Sequence, residues 1–176
     1  MFRFESMKNL ESLIKTYNDS PQKCIAFKDI LGIIQDPEVF KELILKMSSN
    51  KVIKSSEAII SIEARGFIFG SAISLQASKP MILARKPGKL PGALVNENYH
   101  LEYGESSLSI QKESLEKFSS YAIVDDLLAT GGTVECVANL IKKSGKDVSG
   151  LVTVVELMKL GGRSRFDFPV ESIISI

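Results

Sequence analysis

Two adjacent acids and a glycine-rich segment stand close together in the second half of the chain, as Val-Asp-Asp-Leu-Leu-Ala-Thr-Gly-Gly-Thr over residues 124–133. Two successive glycines allow a tight turn that directs neighbouring N–H groups to one point, and the flanking threonines add hydroxyl donors. A helix predicted from residue 134 directs the positive end of its dipole to the same place. Residues 129–133 are therefore predicted to hold an anion; a plain glycine turn before a helix is the alternative.

The acids beside this segment suggest which anion it holds. Asp125 and Asp126 precede the predicted helix by several residues, so helix capping explains them poorly. Carboxylates accept hydrogen bonds from sugar hydroxyls and also hold Mg²⁺, often through water. The segment lacks the Gly-Lys-Ser/Thr ending of a Walker A loop and the GxGxxG spacing of a dinucleotide site. The combination fits ribose 5-phosphate, with its phosphate at the loop and its diol at the acids.

Four clusters of polar side chains each follow an apolar run of strand length. The clusters begin at Glu63, Arg85, Asp125 and Glu156. Apolar strands that alternate with helices indicate a parallel sheet buried on both faces, and ligands bind such sheets at the carboxyl ends of the strands. We therefore expect the four clusters to meet at one edge of the sheet.

The elements that position these clusters follow from hydrophobic periodicity. Helices are predicted over residues 5–17, 37–49, 67–77 and 134–144. Strands are predicted over residues 58–62, 81–84, 121–124 and 151–155, with an exposed strand at 107–111. Residues 85–105 are predicted to form a long loop or hairpin, and residues 171–176 either a terminal strand or a shortened tail. The predicted fold class is α/β, with a central, mainly parallel sheet flanked by helices.

The bulk composition excludes several classes of protein. The 176 residues suit one domain, and a net charge of +1 argues against a dedicated nucleic-acid binder. Two cysteines and one histidine give neither a disulfide framework nor a Cys/His metal site, and reduced thiols indicate the cytoplasm. No apolar run approaches the roughly 18 residues of a membrane helix. The N-terminal residues lack the apolar stretch of a secretory signal.

Five motifs in a fixed order sharpen this interpretation. They are Glu-Ala-Arg-Gly-Phe-Ile-Phe-Gly at 63–70, Arg-Lys-Pro-Gly-Lys-Leu-Pro-Gly at 85–92, Leu-Glu-Tyr-Gly at 101–104, the acidic and glycine-rich segment at 124–133, and Val-Glu-Leu at 155–157. The fourth resembles the phosphoribosyl-diphosphate motif of type I phosphoribosyltransferases. The full set, from about residue 5 onward, resembles the adenine branch of that family.

The resemblance implies a fold and an activity. The fold is the type I phosphoribosyltransferase fold in a single domain over residues 1–176, with a small N-terminal hood from residues ~1–35 and a flexible catalytic loop. The activity is purine salvage: transfer of 5-phosphoribosyl from phosphoribosyl diphosphate to adenine, giving AMP and diphosphate. The resemblance also implies a homodimer and Mg²⁺ held mainly by the substrate, with Asp125 and Asp126 as its candidate protein contacts.

The same resemblance assigns roles to matching residues. Ribose 5-phosphate binding falls to Asp125, Asp126, Ala129, Thr130, Gly131, Gly132 and Thr133. Diphosphate binding falls to Arg65, Arg85, Lys86 and Lys89. Catalysis falls to Glu102, Tyr103 and Arg85, with Glu102 handling the proton that adenine N9 loses. Adenine binding falls to Ala26, Phe27, Lys28 and Leu157, and Arg65 is expected to border the same pocket.

Plainer alternatives accompany these roles. Residues 85–92 could be a solvated basic loop, Glu102 a surface acid and Phe27 a core aromatic. The chain also departs from the family before Phe27, where Pro-Gln-Lys-Cys-Ile-Ala replaces a common Pro-Gly pair. Lys28 stands where arginine is common and lacks its planar fork. These departures bear on the base preference and leave the ribose-phosphate residues untouched.

Two alternative functions follow. One is a transferase for hypoxanthine, xanthine or orotate; the Leu-Glu-Tyr-Gly and Glu-Ala-Arg-Gly-Phe motifs count against it. The other is a regulator of transcription or RNA that has this fold and senses phosphoribosyl diphosphate. The near-neutral charge and the intact loop from residue 85 to 104 count against that reading.

Overall fold

A computed structural model describes residues 10–17, 27–101 and 104–176. The chain forms two compact units, residues 1–46 and 47–176. The hood over residues ~1–35, as part of a single domain, stays a prediction.

The described residues of the first unit form a short antiparallel pair and two helices. A 3₁₀ turn at Glu11–Leu13 precedes β1 (Lys15–Tyr17), which pairs with β2 (Phe27–Asp29). The helices are α1 (Leu31–Gln35) and α2 (Pro37–Ser48), and the second unit begins near the end of α2. The Asp36 carboxylate accepts hydrogen bonds from the first-turn amides of α2, so the helix predicted at 37–49 is confirmed.

The helix predicted over residues 5–17 is wrong for its described part, residues 10–17. The 3₁₀ turn ends at Ile14, whose backbone is extended, and the chain continues as β1. Ile14, Thr16 and Tyr17 are of types that favour strands, and pairing with β2 outweighs the helical spacing of the apolar residues.

The second unit contains a parallel sheet and a separate antiparallel hairpin. Its strands are β3 (Ala58–Ile62), β4 (Met81–Ala84), β5 (Leu94–Leu101), β6 (Gly104–Gln111), β7 (Ser120–Leu128), β8 (Asp147–Glu156) and β9 (Val170–Ser175). Its helices are α3 (Lys51–Ser55), α4 (Gly66–Ala77), α5 (Lys112–Glu116) and α6 (Gly132–Lys143). The sheet order is β4-β3-β7-β8-β9 with every neighbouring pair parallel, which confirms the predicted fold class. The predicted helices at 67–77 and 134–144 correspond to α4 and α6.

The strand order reverses between β3 and β7. From β3 the chain continues to β4 on one side, whereas from β7 it continues to β8 and β9 on the other. The pairing of β3 with β7 ends at Ser61 and Val124, while β7 continues along β8 as far as Leu128. A crevice therefore opens at the carboxyl ends of β3 and β7, where parallel sheets bind their ligands.

The hairpin of β5 and β6 confirms one alternative for residues 85–105 and corrects another prediction. The two strands pair antiparallel from Leu94↔Gln111 to Leu101↔Gly104. The strand expected to be exposed at 107–111 buries Leu108, Ser109 and Ile110, so that part of the prediction is wrong. Ser109 exchanges two backbone hydrogen bonds with Arg85 directly after β4, which turns this face toward the core.

The sheet edges differ from the prediction in two places. Asp125 and Asp126 lie inside β7, and Glu156 is the last residue of β8, so these acids do not follow their strands as predicted. Continued pairing with β8 extends β7 beyond Val124. The C-terminal segment is a strand, β9, because it pairs with β8 over Leu151↔Val170 to Glu156↔Ser175.

Candidate active site

The glycine-rich segment connects β7 to α6 at the crevice between β3 and β7. Gly131 precedes α6 with φ of 87°, a left-handed conformation that glycine adopts without strain. Gly131, the N-cap, gives no side-chain hydrogen bond to the first helical turn, so in the described part of the chain these amides can donate to a ligand. Residues 129–133, which we name the cradle, therefore have the glycine turn and the following helix that the prediction of an anion site requires, while their role in binding an anion stays a prediction.

The two acids are buried next to this cradle. Asp125 is 9% exposed and Asp126 is 6% exposed, and Asp125 Oδ1 accepts a hydrogen bond from Asp126 N at 2.9 Å. Gly66, the first residue of α4, packs so closely that a Cβ there would lie 2.9 Å from Asp125 Oδ1. The Asp125 carboxylate therefore lies against the first turn of α4.

Arg65 supplies the charge opposite Asp126. Its Nε lies 2.8 Å from Asp126 Oδ2. The approach lacks the direction of a hydrogen bond, and within the described part of the chain Oδ2 is a buried oxygen without a hydrogen-bond donor. The contact is therefore a charge pair, and it leaves acceptor capacity at Asp126 for a hydroxyl group.

The pKa of Asp125 shows the cost of this arrangement. Burial raises the pKa of its carboxyl well above the usual range, and the adjacent negative charge of Asp126 adds to the increase. The folded state therefore binds this proton more tightly than the unfolded state. Stability is then lost as the pH rises from the unfolded pKa of about 3.9 through the raised folded value.

We therefore expect Asp125→Asn to stabilise the protein at pH 7. Asparagine keeps an oxygen for the Asp126 amide and removes the buried charge, so the free energy of unfolding at pH 7 should increase. The gain should shrink as the pH falls toward about 4, where wild-type Asp125 is also neutral. Chemical denaturation across a pH series measures this, with the exposed Asp147→Asn as control. A destabilised Asp125→Asn at pH 7 would contradict the account.

The cations after β4 are held by Glu63, the residue after β3. Glu63 Oε2 accepts hydrogen bonds from Arg85 Nε and from the Lys86 backbone N–H, each at 3.0 Å. Burial acts to raise the pKa of Glu63, but these two hydrogen bonds lower it overall. The Arg85 guanidinium also donates to Lys89 O at 3.3 Å and lies 5.8 Å from the centre of the Phe67 ring. Glu63 therefore fixes the direction of Arg85, while the Lys86 and Lys89 side chains stay exposed.

The residues predicted to bind the base belong to both units, and each unit is described by itself. Leu157 follows β8, and its N–H donates to Leu128 O at 2.9 Å, so it lies at the same sheet edge as the cradle. In the first unit, Lys28 Nζ donates to Thr16 Oγ1 at 2.9 Å, and Phe27 begins β2. Ala26 lies outside the described residues.

Glu102 and Tyr103 also lie outside the described residues, but the strands on either side are firmly anchored. Glu97 on β5 forms an ion pair with Lys143 of α6 at 2.6 Å, and Cys136 Sγ lies 3.4 Å from Glu97 O. Asn96 Oδ1 accepts from Ser109 Oγ at 2.6 Å. The stem of the hairpin therefore packs on the helix that begins at the cradle.

Sequence reasoning gave no role to Glu63, Glu156 or Arg163. Glu63 is the first residue of one motif and directly follows a strand, and this position indicates a residue of the site. Glu156 is 2% exposed and pairs with both nitrogens of an Arg163 fork, which lowers the pKa of its carboxyl. This pair joins the end of β8 to a 3₁₀ turn at Gly162–Arg165, and the spacing of the two residues gives no sign of it.

Comparison with known proteins decides the family. Residues 34–174 match the model of the phosphoribosyl transferase domain. An adenine phosphoribosyltransferase of Prochlorococcus marinus (strain MIT 9515) is 70% identical over 166 residues, which cover 94% of this chain and 97% of that protein. The chain belongs to the adenine phosphoribosyltransferase family. The resemblance drawn from the five motifs is thereby confirmed.

Solved adenine phosphoribosyltransferases share the fold. The enzyme of Thermoanaerobacter pseudethanolicus is 36% identical with a TM-score of 0.89, covering 97% of this chain and 99% of that one. The enzyme of Saccharomyces cerevisiae, solved with D-2,5-dideoxy-2,5-imino-altritol 1,6-bisphosphate and adenine, is 30% identical with a TM-score of 0.86. It covers 96% of this chain and 98% of that one. The type I phosphoribosyltransferase fold is thus confirmed.

Within residues 10–17, 27–101 and 104–176, no three His, Cys, Asp or Glu side chains gather into a group able to hold a metal ion. In the same residues, no helix has both the length and the apolar character needed to cross a membrane.

Proposed function

We propose that this chain transfers the 5-phosphoribosyl group of phosphoribosyl diphosphate to adenine, releasing AMP and diphosphate in purine salvage. One observation carries the proposal. Two buried acids on β7 are followed closely by the glycine-rich cradle, and both lie at the crevice where the strand order reverses. Membership of the adenine phosphoribosyltransferase family supports the choice of acceptor.

The cradle and the two acids before it bind different parts of ribose 5-phosphate. The amides from Ala129 to Thr133 bind the 5-phosphate, assisted by the positive end of the α6 dipole. Asp125 and Asp126 accept hydrogen bonds from the ribose hydroxyls, and the oxygen of Asp126 that lacks a donor is ready to accept one.

The leaving group meets cations on the other side of the crevice. As the bond between ribose C1 and diphosphate breaks, negative charge grows on the diphosphate, and Arg85, Lys86, Lys89 and Arg65 stabilise it. Glu63 holds Arg85 in place before the donor arrives, so no reorganisation is needed at that moment. Adenine N9 forms the new bond to C1, and Glu102 takes the N9 proton, with Tyr103 beside it.

Mg²⁺ fits this site as a companion of the donor. When bound it neutralises charge on the diphosphate. Asp125 and Asp126 are the protein groups that would contact it, directly or through water, since carboxylate oxygens are the ligands Mg²⁺ prefers. The buried Asp126 Oδ2, without a donor among the described residues, is such an oxygen.

The adenine pocket rests on the resemblance of the matching positions. The matching positions are Ala26, Phe27, Lys28 and Leu157, and the aromatic ring of Phe27 is the candidate for stacking on adenine. Two cysteines in the chain, with Cys136 free and buried, support a place in the reducing cytoplasm.

A homodimer is the state proposed for this enzyme, and α4 carries the surface that supports it. The helix buries Phe69 and Ile73 on one side, yet Leu75 is 85% exposed and Ile68 is 38% exposed on another. Large apolar side chains exposed on one face of a helix mark a surface suited to protein–protein contact. A second copy of the chain is the occupant that the family resemblance indicates.

Leu75→Glu should therefore weaken the dimer. A charge placed in an apolar interface costs several kcal/mol, so we expect the dimer dissociation constant to rise by at least about 10²-fold. Analytical ultracentrifugation measures this, with Gln76→Glu as the control that adds the same charge one residue along. Unchanged association in Leu75→Glu would place the interface elsewhere.

Release of diphosphate on mixing with adenine, phosphoribosyl diphosphate and Mg²⁺ tests the proposed function. Continuous release that depends on adenine is expected. Tight binding of the donor without release would instead support a sensor of phosphoribosyl diphosphate.

A further inference from the structure

The 3₁₀ turn Gly162–Arg165 lies directly against the anion cradle. A Cβ added to Gly162 would collide with Ala129 O and would lie 3.1 Å from Gly131 N. A Cβ added to Gly131 would lie 2.9 Å from Gly162 O and 3.0 Å from Phe166 Cζ. The two backbones are therefore in contact because neither position carries a side chain, and residues 162–166, which we name the back wall, pack against the cradle.

The back wall is tied to the sheet by Arg163. Its Nε donates to Glu156 Oε1 at 2.9 Å, a second guanidinium nitrogen donates to Glu156 Oε2, and Nη1 donates to Val170 O at 2.7 Å. Ser172 of β9 donates to Glu156 Oε2 at 2.9 Å. A bidentate pair of this kind fixes orientation as well as distance.

The anchor of this pair is rigid and close to the cradle. Glu156 is the last residue of β8 and pairs in register with Leu128, the last residue of β7. Gly162 in turn approaches Leu128 Cδ1, so strand end, cradle and back wall form one packed group. Within the described residues, the N-cap of α6 is the left-handed Gly131, which makes no side-chain capping hydrogen bond.

We propose that the back wall positions the cradle amides for the 5-phosphate, and that Glu156 and Arg163 are positioning residues that hold the back wall. This inference rests on the proposed function, since the ligand of the cradle is the 5-phosphate of the donor. Neither residue touches the substrate. Their effect reaches the phosphate through the backbone contact of Gly162 with Ala129 and Gly131.

Gly162→Ala tests the contact, and Gly161→Ala is its matched control. A Cβ at Gly161 meets only Ser164 Oγ at 4.0 Å, although its φ of 63° adds strain. The probes are ribose 5-phosphate, measured by calorimetry, and diphosphate, measured as an inhibitor competing with the donor. Gly162→Ala should weaken ribose 5-phosphate binding by at least about tenfold, since a misplacement of about 1 Å can cost about 10²-fold.

Diphosphate inhibition and the Gly161→Ala control distinguish a positioning role from a general loss of active-site structure. In Gly162→Ala, the inhibition constant of diphosphate should stay within about twofold of the wild-type value, because the change does not reach the cations after β4. In Gly161→Ala, the affinity for ribose 5-phosphate and the inhibition constant of diphosphate should both stay within about twofold of wild type. A folded Gly162→Ala that binds ribose 5-phosphate normally, or loses both probes equally, would overturn the proposal. Wild type that neither binds the donor nor turns it over would instead refute the proposed function.

Glu156→Gln tests the anchor and also serves if Gly162→Ala fails to fold. Glutamine keeps the shape of the side chain but removes the negative charge that holds Arg163. Arg163 is half-exposed, so water can solvate its guanidinium once the ion pair is gone. We expect ribose 5-phosphate binding to weaken by about threefold or more while diphosphate inhibition is unchanged. Wild-type binding of ribose 5-phosphate by this variant would exclude a positioning role for the pair.

Discussion

Replacing both acids of β7, as Asp125→Asn with Asp126→Asn, should lower kcat/KM for phosphoribosyl diphosphate by about 10²- to 10⁴-fold. Each hydrogen bond from a ribose hydroxyl to a carboxylate is worth about 1.5–3 kcal/mol, and the double change weakens two of them. The two carboxyls are buried at the crevice, where water cannot replace the lost contacts cheaply.

The double variant should keep its fold, because it removes a pair of like charges from the interior. Asp126→Asn releases Arg65 from its charge pair, but the arginine is about a third exposed and can reach water. Steady-state kinetics and circular dichroism measure the two properties together. The matched control, Asp147→Asn with Asp167→Asn, makes the same charge change at exposed sites. Near-normal kcat/KM in the double variant would remove the proposed role of the acids.

Glu102→Ala should lower kcat by about 10²- to 10⁴-fold, the usual contribution of a general acid–base group. Its effect on donor affinity should be much smaller, because the ribose, the 5-phosphate and the diphosphate bind to other residues. The paired strands that end at Leu101 and Gly104 are fixed at their stem by the Glu97–Lys143 ion pair, so the substitution should leave the hairpin in place.

Two further variants make this prediction specific. Glu102→Gln keeps the size of the side chain and removes its basicity, so it should resemble Glu102→Ala in kcat. Glu113→Ala removes an acid that is 87% exposed and should resemble wild type. Single-turnover kinetics together with donor titration separate chemistry from binding. A variant that loses donor affinity while keeping kcat would make Glu102 a binding residue.

The cradle and the helix after it could be predicted from the sequence because their determinants are local. Two glycines followed by an apolar repeat of helical period specify a turn and a helix within a dozen residues. The parallel sheet could be predicted for a similar reason, since β3, β7 and β8 are nearly continuous apolar runs.

Features that depend on contacts distant in sequence could not be predicted. The segment at residues 10–17 has helical spacing but pairs as a strand with β2, and such pairing outweighs local preference. The contact of Arg65 with Asp126 depends on the crevice between β3 and β7. The Glu156–Arg163 pair depends on a 3₁₀ turn whose course the residue types do not specify. The strand predicted at residues 121–124 ends earlier than β7 for the same reason. Pairing with β8, and not the polarity of the residues, decides where β7 ends.

Comparison of kcat/KM for adenine, hypoxanthine and guanine, with phosphoribosyl diphosphate and Mg²⁺, tests the central claim most directly. We expect adenine to be preferred by at least about 10²-fold, with one diphosphate released for each AMP formed. Faster conversion of hypoxanthine or guanine than of adenine would contradict the account.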